Sequence, residues 1–300
     1  MALCWQVTAL AQTEETGYSL NREANNIKNK AQSKADLEKA IKKYEEALAI
    51  FEQAKSEKGS GIALNNIGLV YDNLGQYNKA LDYYEKSLGI YKKIDDVRNQ
   101  GITLNNIGAV YDNLGQYNKA LEYYKKSLEI RKKIGDISGE GTTLNNIGLV
   151  YNKLGQYSKA LEYYEKSLEI KKRIDDVKGE GISLNNIGLV YDNLGQYNKA
   201  LEYYEKSLEK RKKIGDISGE GTTLGNIGAV YDNLGQYNKA LEYYEKSLDI
   251  RKKIGHISGE GTTLGNIGEV YKNLGQYNKA LEYYEKSLDI RKKIGDIAGE

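Results

Sequence analysis

The stretch GTTLGNIGAVYDNLGQYNKALEYYEKSLDIRKKIGHISGE, at Gly221–Glu260, is one of six consecutive copies of the same 40-residue unit. The copies begin at Gly61, Gly101, Gly141, Gly181, Gly221 and Gly261, and no residue is inserted or deleted between them. The last two copies differ at only four positions. A fixed period of this length is typical of solenoid and propeller proteins. The repeat therefore decides the fold.

Each copy contains two segments with the periodicity of a helix. In Ile217–Asn233 the apolar residues lie three, four or seven positions apart, and Tyr237–Ile254 has the same spacing. These intervals mark one face of a helix, and neither segment alternates with the period of two that a strand would have. We therefore expect a hairpin of two helices in each copy, each of about 17 residues and roughly 25 Å long. A propeller, which needs four strands per copy, is disfavoured.

The residues between the segments are suited to ending one helix and starting the next. Gly235 follows the first segment and can adopt the left-handed conformation that closes a helix. Gly215 can close the preceding helix, and Asp216 can cap the next one by accepting from exposed backbone N–H groups. In two copies an aspartate, Asp95 or Asp175, stands in place of this glycine. Aspartate tolerates the left-handed conformation less well.

A glycine in the middle of the first segment predicts close packing between helices. Glycine in a helix interior costs about 1 kcal/mol relative to alanine, so its presence in every copy needs a structural reason. The expected counterpart on the second segment is an alanine, Ala80 in the first copy, with Leu64 and Tyr84 among the large residues around the contact. The glycines are Gly68, Gly108, Gly148, Gly188, Gly228 and Gly268. The alanines are Ala80, Ala120, Ala160, Ala200, Ala240 and Ala280.

These positions resemble the signature of the tetratricopeptide repeat. The matching residues of the first copy are Leu64, Ile67, Gly68, Tyr71, Gly75, Tyr77, Ala80, Tyr84, Ser87 and Leu88. The period is 40 rather than the 34 residues of the common form, and the chain has no proline to end the second helix. The chain therefore looks like the long-repeat subgroup, which includes kinesin light chains, spindle adaptors and bacterial sensor arrays. The resemblance implies an all-α, right-handed α-solenoid of stacked hairpins, with the first helices lining a concave groove.

The repeat boundaries define the domain organisation that we expect. The six repeats span 61–100, 101–140, 141–180, 181–220, 221–260 and 261–300. Residues 13–60 read as a degenerate capping repeat, in which Lys28 stands where Gly68 would be and Ala35–Lys55 forms the second helix. A more polar terminal unit is typical of a solenoid cap. No polar closing helix follows the last repeat, so we expect a fragment or the first part of a longer protein.

The first twelve residues differ in kind from the rest. Met1–Gln12 is uncharged and apolar, and Ala9-Leu10-Ala11 resembles the small-residue cleavage site of a secretory signal peptide. The basic start of such a peptide is missing, so the segment fits either a signal remnant or a disordered or docked N-terminus. A cytoplasmic location is favoured, and Met1–Ala11 implies export only if it is a signal remnant.

Paired asparagines on the first helix are the candidate ligand-binding residues. The tetratricopeptide resemblance places them in the groove, where their amides could bind an extended peptide backbone without reading its sequence. The alternative is that the asparagines tie one hairpin to the next. The second asparagine of each pair is Asn66, Asn106, Asn146, Asn186, Asn226 or Asn266. The first is Asn65, Asn105, Asn145 or Asn185, and Gly225 and Gly265 replace it in the last two copies, which would widen the groove.

One helical turn further, the groove wall is expected to be apolar and mildly acidic. Leu69, Leu149 and Leu189 supply the apolar side chains, and Asp72 and its equivalents supply the charge. The Lys and Arg pairs by which chaperone-binding tetratricopeptide domains clamp a terminal carboxylate are missing. A peptide with apolar side chains and some positive charge therefore fits best.

Composition and motifs argue against other function classes. A net charge of +2, with both signs interspersed, disfavours nucleic acid, and no window is apolar enough to span a membrane. One cysteine and one histidine, His256, give no metal cluster and no catalytic set. We therefore expect no enzyme activity and no cofactor. The preferred function is a scaffold that holds a peptide or protein segment, and the alternative is the sensor arm of a longer signalling protein.

Overall fold

The computed structural model describes residues 2–31 and 33–294, with side chains from residue 12 to residue 292. In this part of the chain there are fourteen helices and no strand, which confirms the all-α prediction. The first seven are α1 (Ala2–Lys30), α2 (Lys34–Gln53), α3 (Glu57–Asn73), α4 (Tyr77–Lys93), α5 (Val97–Asn113), α6 (Tyr117–Lys133) and α7 (Ile137–Lys153). The others are α8 (Tyr157–Arg173), α9 (Val177–Asn193), α10 (Tyr197–Lys213), α11 (Ile217–Asn233), α12 (Tyr237–Lys253), α13 (Ile257–Asn273) and α14 (Tyr277–Ile294).

The helices pack as successive hairpins in each of two compact units, Met1–Val150 and Tyr151–Glu300. In the first unit α1 pairs with α2, α3 with α4 and α5 with α6, while α2 packs on α3 and α4 on α5. In the second unit α9 pairs with α10, α11 with α12 and α13 with α14, and each of these hairpins packs on the helix before it. The predicted stacking of helical hairpins is therefore confirmed within each unit.

The helices end where the turn residues predict. Gly235 has a φ of +69° and Gly215 a φ of +66°, both in the left-handed region. Asp95 and Asp175 take the same conformation, at +55° and +53°, in the two copies that lack the second glycine. After Gly235 the Gln236 N–H donates back to the Tyr231 carbonyl at 2.8 Å, which satisfies a carbonyl at the helix end.

Aspartates cap the first helix of several hairpins. Asp216 accepts from the Gly219 N–H at 3.1 Å, and its other oxygen lies 3.2 Å from Arg211 Nη1. His256 occupies the same position before α13 and makes no capping hydrogen bond. Its ring nitrogen Nδ1 lies 3.2 Å from Arg251 Nη1. The histidine thus keeps a contact with the arginine but leaves the start of α13 without a side-chain cap.

The mid-helix glycines are buried against the second helix of their own hairpin. A Cβ atom at Gly68 would lie 2.8 Å from Cδ1 of Tyr84, and one at Gly188 would lie 2.8 Å from Cδ1 of Tyr204. Ala80 is fully buried beside this contact. The prediction of close packing is confirmed. The ring of the tyrosine, which the sequence placed around this contact, lies directly on the glycine.

The N-terminal hairpin departs from the other repeats. Here α2 spans Lys34–Gln53, close to the expected Ala35–Lys55. Phe51 is fully buried and its ring lies against Gly17 and Gly59. The side chains of residues 2–11 lie outside the described part of the chain, so the signal-peptide interpretation of Met1–Gln12 stays a prediction.

Candidate functional site

Asparagines from consecutive first helices are joined by hydrogen bonds, which we call the asparagine ladder. In the first unit Asn106 Nδ2 donates to Asn65 Oδ1 at 3.2 Å, and Thr103 Oγ1 donates to the same oxygen at 3.3 Å. Asn146 donates in the same way to Asn105, at 3.2 Å. In the second unit Asn226 Nδ2 and Thr223 Oγ1 donate to Asn185 Oδ1, at 3.1 and 3.2 Å. The predicted site residues therefore meet across the junction between hairpins.

The ladder changes at both ends of the array. At the first repeat Asn66 donates to Asn21 at 3.1 Å. At the last repeat Gly225 offers no acceptor, and Thr263 Oγ1 bonds instead to the carbonyl of Gly259 at 2.9 Å. Asn266 is exposed and has no hydrogen-bond partner among the described residues. Replacing one asparagine by glycine thus leaves the amide on the next helix free.

The ladder ties one hairpin to the next, which is the alternative role that the sequence left open. It leaves part of the hydrogen-bonding capacity of the asparagines unused. In the described structure Asn66, Asn106, Asn146 and Asn226 each donate one amide hydrogen to the preceding hairpin. Each is half-exposed and keeps its Oδ1 and its second N–H without a protein partner. Asn145 and Asn186 are half-exposed in their own units. Binding of a ligand by these columns stays a prediction.

A second set of hydrogen bonds lies two helical turns further along the first helices. Asn113 Nδ2 donates to Asp72 Oδ1 at 3.1 Å, and Asn233 and Asn273 donate to Asp192 and Asp232 at 3.3 Å. In the third repeat an asparagine, Asn152, takes the place of the aspartate and accepts from Asn193 at 3.1 Å. The sequence identified these columns but not their pairing, which depends on how one hairpin is offset from the next.

The aspartates of this second set are acidic groups that are partly buried at the surface. Burial raises the pKa of Asp72, Asp192 and Asp232, and the hydrogen bond from the asparagine only partly opposes it. None of the three forms an ion pair with the described residues. The first-helix face, meaning the surface that carries the asparagine ladder and these aspartates, therefore favours cationic or hydrogen-bond-donating ligand groups.

The predicted apolar positions lie over the buried tyrosines. Leu69, Leu149 and Leu189 are half-buried, and Leu69 and Leu189 pack against the clusters that contain Tyr84 and Tyr204. The hydroxyls of Tyr84 and Tyr204 are buried without a hydrogen-bond partner. In the last repeat Glu269 replaces the leucine and accepts from the Tyr284 hydroxyl at 2.6 Å. In the last repeat, this column thus supplies the hydrogen-bond partner that the Tyr84 and Tyr204 hydroxyls lack.

Sequence reasoning missed an aromatic stack that recurs in every repeat. The rings of Tyr71 and Tyr83 are stacked with centroids 5.4 Å apart. Lys79 Nζ lies 5.2 Å from the Tyr71 ring, and Lys86 Nζ lies 5.3 Å from the Tyr83 ring. Such contacts contribute up to about 1 kcal/mol at exposed sites. These two tyrosine positions and two lysine positions recur in the sequence of each repeat, but only the fold shows that they contact one another.

The sequence profile described as "Tetratricopeptide repeat" matches six overlapping windows: residues 24–93, 61–133, 99–173, 139–213, 179–253 and 219–293. The chain belongs to the tetratricopeptide repeat family. This confirms the resemblance drawn from Gly68, Ala80 and Tyr84. No curated protein sequence matches the chain.

Solved structures with the same fold include two Rap proteins and a signalling ATPase. The apo form of RapI has 19% sequence identity and a TM-score of 0.73, covering 94% of this chain and 99% of RapI. A Rap protein complexed with competence and sporulation factor has 15% identity and a TM-score of 0.57, covering 96% and 99%. A signal transduction ATPase with a tetratricopeptide repeat sensor, from Pyrococcus horikoshii, has 22% identity and a TM-score of 0.70, covering 95% of this chain and 44% of the ATPase.

The tetratricopeptide array is a repeat scaffold. No described helix combines the length and the apolar character that crossing a bilayer requires. Among the described residues, no three His, Cys, Asp or Glu side chains are grouped as metal ligands.

Proposed function

We propose that the first-helix face binds an extended peptide segment of a partner protein. The observation that carries this proposal is the unused hydrogen-bonding capacity of the ladder. Asn106 and Asn146 each spend one amide hydrogen on the preceding hairpin and keep an acceptor oxygen and a second N–H. A peptide backbone offers one donor and one acceptor per residue, so each such amide can pair with it in both directions.

The ladder bond also prepares the asparagines for binding. A side chain already held by its neighbour loses little further rotamer entropy when a ligand arrives, and such preorganisation increases affinity. The first asparagine of each pair, such as Asn105, acts mainly by orienting the second, because its Oδ1 already accepts two hydrogen bonds. Leu69, Leu149 and Leu189 supply apolar contact area beside the ladder.

A matched pair of substitutions separates ligand binding from packing. Asn105→Ala and Asn146→Ala both remove the 3.2 Å hydrogen bond between these residues, and Asn105→Ala also removes the bond from Thr143. We expect Asn146→Ala to lower stability by about 1 kcal/mol and Asn105→Ala by at least as much. Only Asn146→Ala removes the amide that would face the ligand. The measurement is affinity selection from a synthetic pool of N-acetylated nonapeptides, read by mass spectrometry, with melting temperatures recorded in parallel.

We expect the unmodified chain and Asn105→Ala to retain a common set of peptides, and Asn146→Ala to lose it. Equal retention by all three proteins would contradict the proposal, as would losses that simply follow the melting temperatures. If the unmodified chain retains no peptide at all, the proposal that this face binds peptides is wrong.

A second candidate is the sensor arm of a longer signalling protein. It is favoured by the likeness to the Pyrococcus horikoshii ATPase, in which the matching part makes up 44% of the ATPase chain. That protein is described as carrying a tetratricopeptide repeat sensor. The sequence of the gene downstream of the codon for Glu300 tests this candidate directly: an open reading frame encoding an effector domain would support it, and an immediate stop codon would contradict it.

A further inference from the structure

One residue column on the first helices lies beside the tyrosines of the hairpin core. Leu189 packs over Tyr204, whose hydroxyl is buried. Glu269 bonds the Tyr284 hydroxyl. Ala229 holds the same position in α11 and packs against the cluster that contains Tyr244. Alanine lacks the three outer carbon atoms of leucine, and Tyr244 is 2% exposed where Tyr204 is fully buried. We call the space that the shorter side chain leaves beside Ala229 the pocket.

By analogy with Tyr284, whose hydroxyl reaches the same column at Glu269, the Tyr244 hydroxyl faces Ala229. Its ring is fixed because Cδ1 lies 2.8 Å from the position of a Cβ at Gly228, and the residue is only 2% exposed. No described residue forms a hydrogen bond with the hydroxyl. Burial raises the pKa of Tyr244, and the charges of Asp232 and Asp192 raise it further. A buried hydroxyl without a partner is costly unless a ligand or a water satisfies it.

Asp232 supplies an uncompensated negative charge at the same place. Its Oδ1 accepts from Asn273 Nδ2 at 3.3 Å, and its Oδ2 has no partner among the described residues. Burial and the nearby Glu269 both raise the pKa of Asp232. Glu269 itself is already satisfied, because Lys272 Nζ lies 2.7 Å from one oxygen and the Tyr284 hydroxyl bonds the other. Asp232 is therefore the acid that remains available to a cation.

The free amide of Asn266 lies at the other end of the same stretch of α11. By analogy with the bond between Asn185 and Asn226, Asn266 faces Gly225. Gly225, Ala229 and Asp232 are spaced i, i+4 and i+7, on one helix face. Seven residues of helix span about 10 Å, which is the length of about three residues of extended peptide.

We propose that the pocket formed by Ala229, Asp232 and Tyr244 binds a basic side chain, arginine or lysine, of the peptide held by the first-helix face. This inference rests on the proposed function and names the residue type selected at one position. The cationic group donates to Asp232 Oδ2 and to the Tyr244 hydroxyl oxygen, and its aliphatic stem lies on Ala229. Arginine fits both acceptors best, because its N–H groups form a planar fork. The same three residue types recur as Ala109, Asp112 and Tyr124, but Asp112 is only 6% exposed, so we assign the pocket to the second unit.

Three blocked tripeptides test the pocket: Ac-Ala-Arg-Ala-NH2, its norleucine counterpart and its glutamate counterpart. They are titrated into the full chain labelled with 13C at tyrosine Cζ and with 15N at the asparagine side chains. The Tyr244→Phe variant, which keeps the ring over Gly228, assigns the Tyr244 signal. We expect the arginine tripeptide to shift this signal with an affinity about tenfold higher than that of the norleucine tripeptide, the effect of one charge-assisted hydrogen bond.

Two variants taken from the chain's own repeats act in opposite directions. Ala229→Leu copies Leu189 and should cover the Tyr244 hydroxyl, abolishing the arginine response without lowering the melting temperature. Leu189→Ala copies Ala229 and should open an equivalent pocket at Tyr204 and Asp192, adding a second responding tyrosine signal. This gain cannot arise from general loss of structure.

The contrary outcomes are distinct. If the arginine and norleucine tripeptides bind equally, or Ala229→Leu leaves the arginine response unchanged, the pocket does not select a cation. If asparagine amide signals shift with all three tripeptides while Tyr244 stays silent, the peptide-binding face stands and the pocket holds an ordered water only. If neither group of signals moves, the pocket and the proposed function both fail.

Discussion

The ring of Tyr84 on α4 lies directly on the backbone of Gly68 on α3. A methyl group at Gly68 would come within 2.8 Å of ring atoms Cδ1 and Cε1, closer than carbon atoms can approach without displacement. The ring is fully buried. The glycine is therefore present because the hairpin has no room for a side chain there, and its loss of helix propensity is offset by the packing of the ring.

Substituting this glycine should destabilise the hairpin, although alanine is the better helix former. We expect Gly68→Ala to lower the free energy of unfolding by up to about 2 kcal/mol, because overpacking costs about 1–3 kcal/mol and the gain in propensity returns about 1 kcal/mol. Gly89 in α4 is the matched control, since nothing lies within 4 Å of a Cβ there. Gly89→Ala should be stabilising by about 1 kcal/mol. Urea denaturation of both variants checks the pair, and a stabilised Gly68→Ala would contradict the packing argument.

Restoring the missing cap before α13 should stabilise the last hairpin. His256→Asp would supply the acceptor that Asp216 provides to Gly219 before α11, and a charged partner for Arg251. We expect a gain of about 1 kcal/mol, the usual effect of an N-cap. The reverse substitution, Asp216→His, should cost a similar amount. Thermal melts of both variants provide the measurement, and an unchanged melting temperature for both would show that neither cap matters.

The asparagine ladder should contribute stability one junction at a time. Asn185→Gly removes the acceptor of two hydrogen bonds, from Thr223 and Asn226, and should destabilise the junction of α9 with α11 by about 1–2 kcal/mol. Gly225→Asn should stabilise the junction of α11 with α13 by giving Asn266 an acceptor. Because repeats contact only their neighbours, hydrogen exchange of the amides in α11 and α13 is the appropriate measurement. Faster exchange in Gly225→Asn would contradict this prediction.

The raised pKa of Asp192 predicts a stability change that depends on pH. Since burial favours the protonated carboxyl in the folded state, its contribution to stability is fully present below the unfolded pKa near 3.9 and is lost as the pH rises through the folded pKa. Asp192→Asn, which copies Asn152 and keeps the acceptor for Asn233, should therefore be stabilising at pH 7. The gain should be at most about 1 kcal/mol, because the carboxyl is half-exposed.

The same substitution has its own internal control in acid. At a pH well below 4 the carboxyl of Asp192 is protonated in both states, so the variant and the unmodified chain should have equal stability. Guanidinium titrations at pH 7 and pH 3 compare the two. A gain that is as large at pH 3 as at pH 7 would assign the effect to something other than the charge.

Helix positions and turns could be predicted from single residues, whereas the pairings could not. The apolar spacing of Ile217–Asn233 matches α11 to the residue, and Gly235 and Asp216 act as expected because turn and cap chemistry is local. The same periodicity placed both Ala80 and Tyr84 towards the core, but it could not say which one covers Gly68, since that depends on the distance between helices.

The hydrogen-bond partners in the asparagine ladder could not be predicted from the sequence, for a related reason. Asn226 meets Asn185, which is 41 positions earlier, although the repeat period is 40. The extra residue comes from the offset between neighbouring hairpins, which no single repeat encodes. Once hairpins stack, the ladder follows from the asparagine columns. The proposed pocket beside Ala229 depends on one further fact, the packing of the Tyr244 ring against Gly228.

The near-identity of the repeats has a consequence for any ligand that lies along them. Equivalent rungs offer a peptide several alignments of almost equal energy, so a perfectly uniform array would let it slide by one repeat at a time. Gly225 and Ala229 break that equivalence within a single helix of the second unit. Two substituted positions are therefore enough to give a bound peptide one preferred alignment along the repeats.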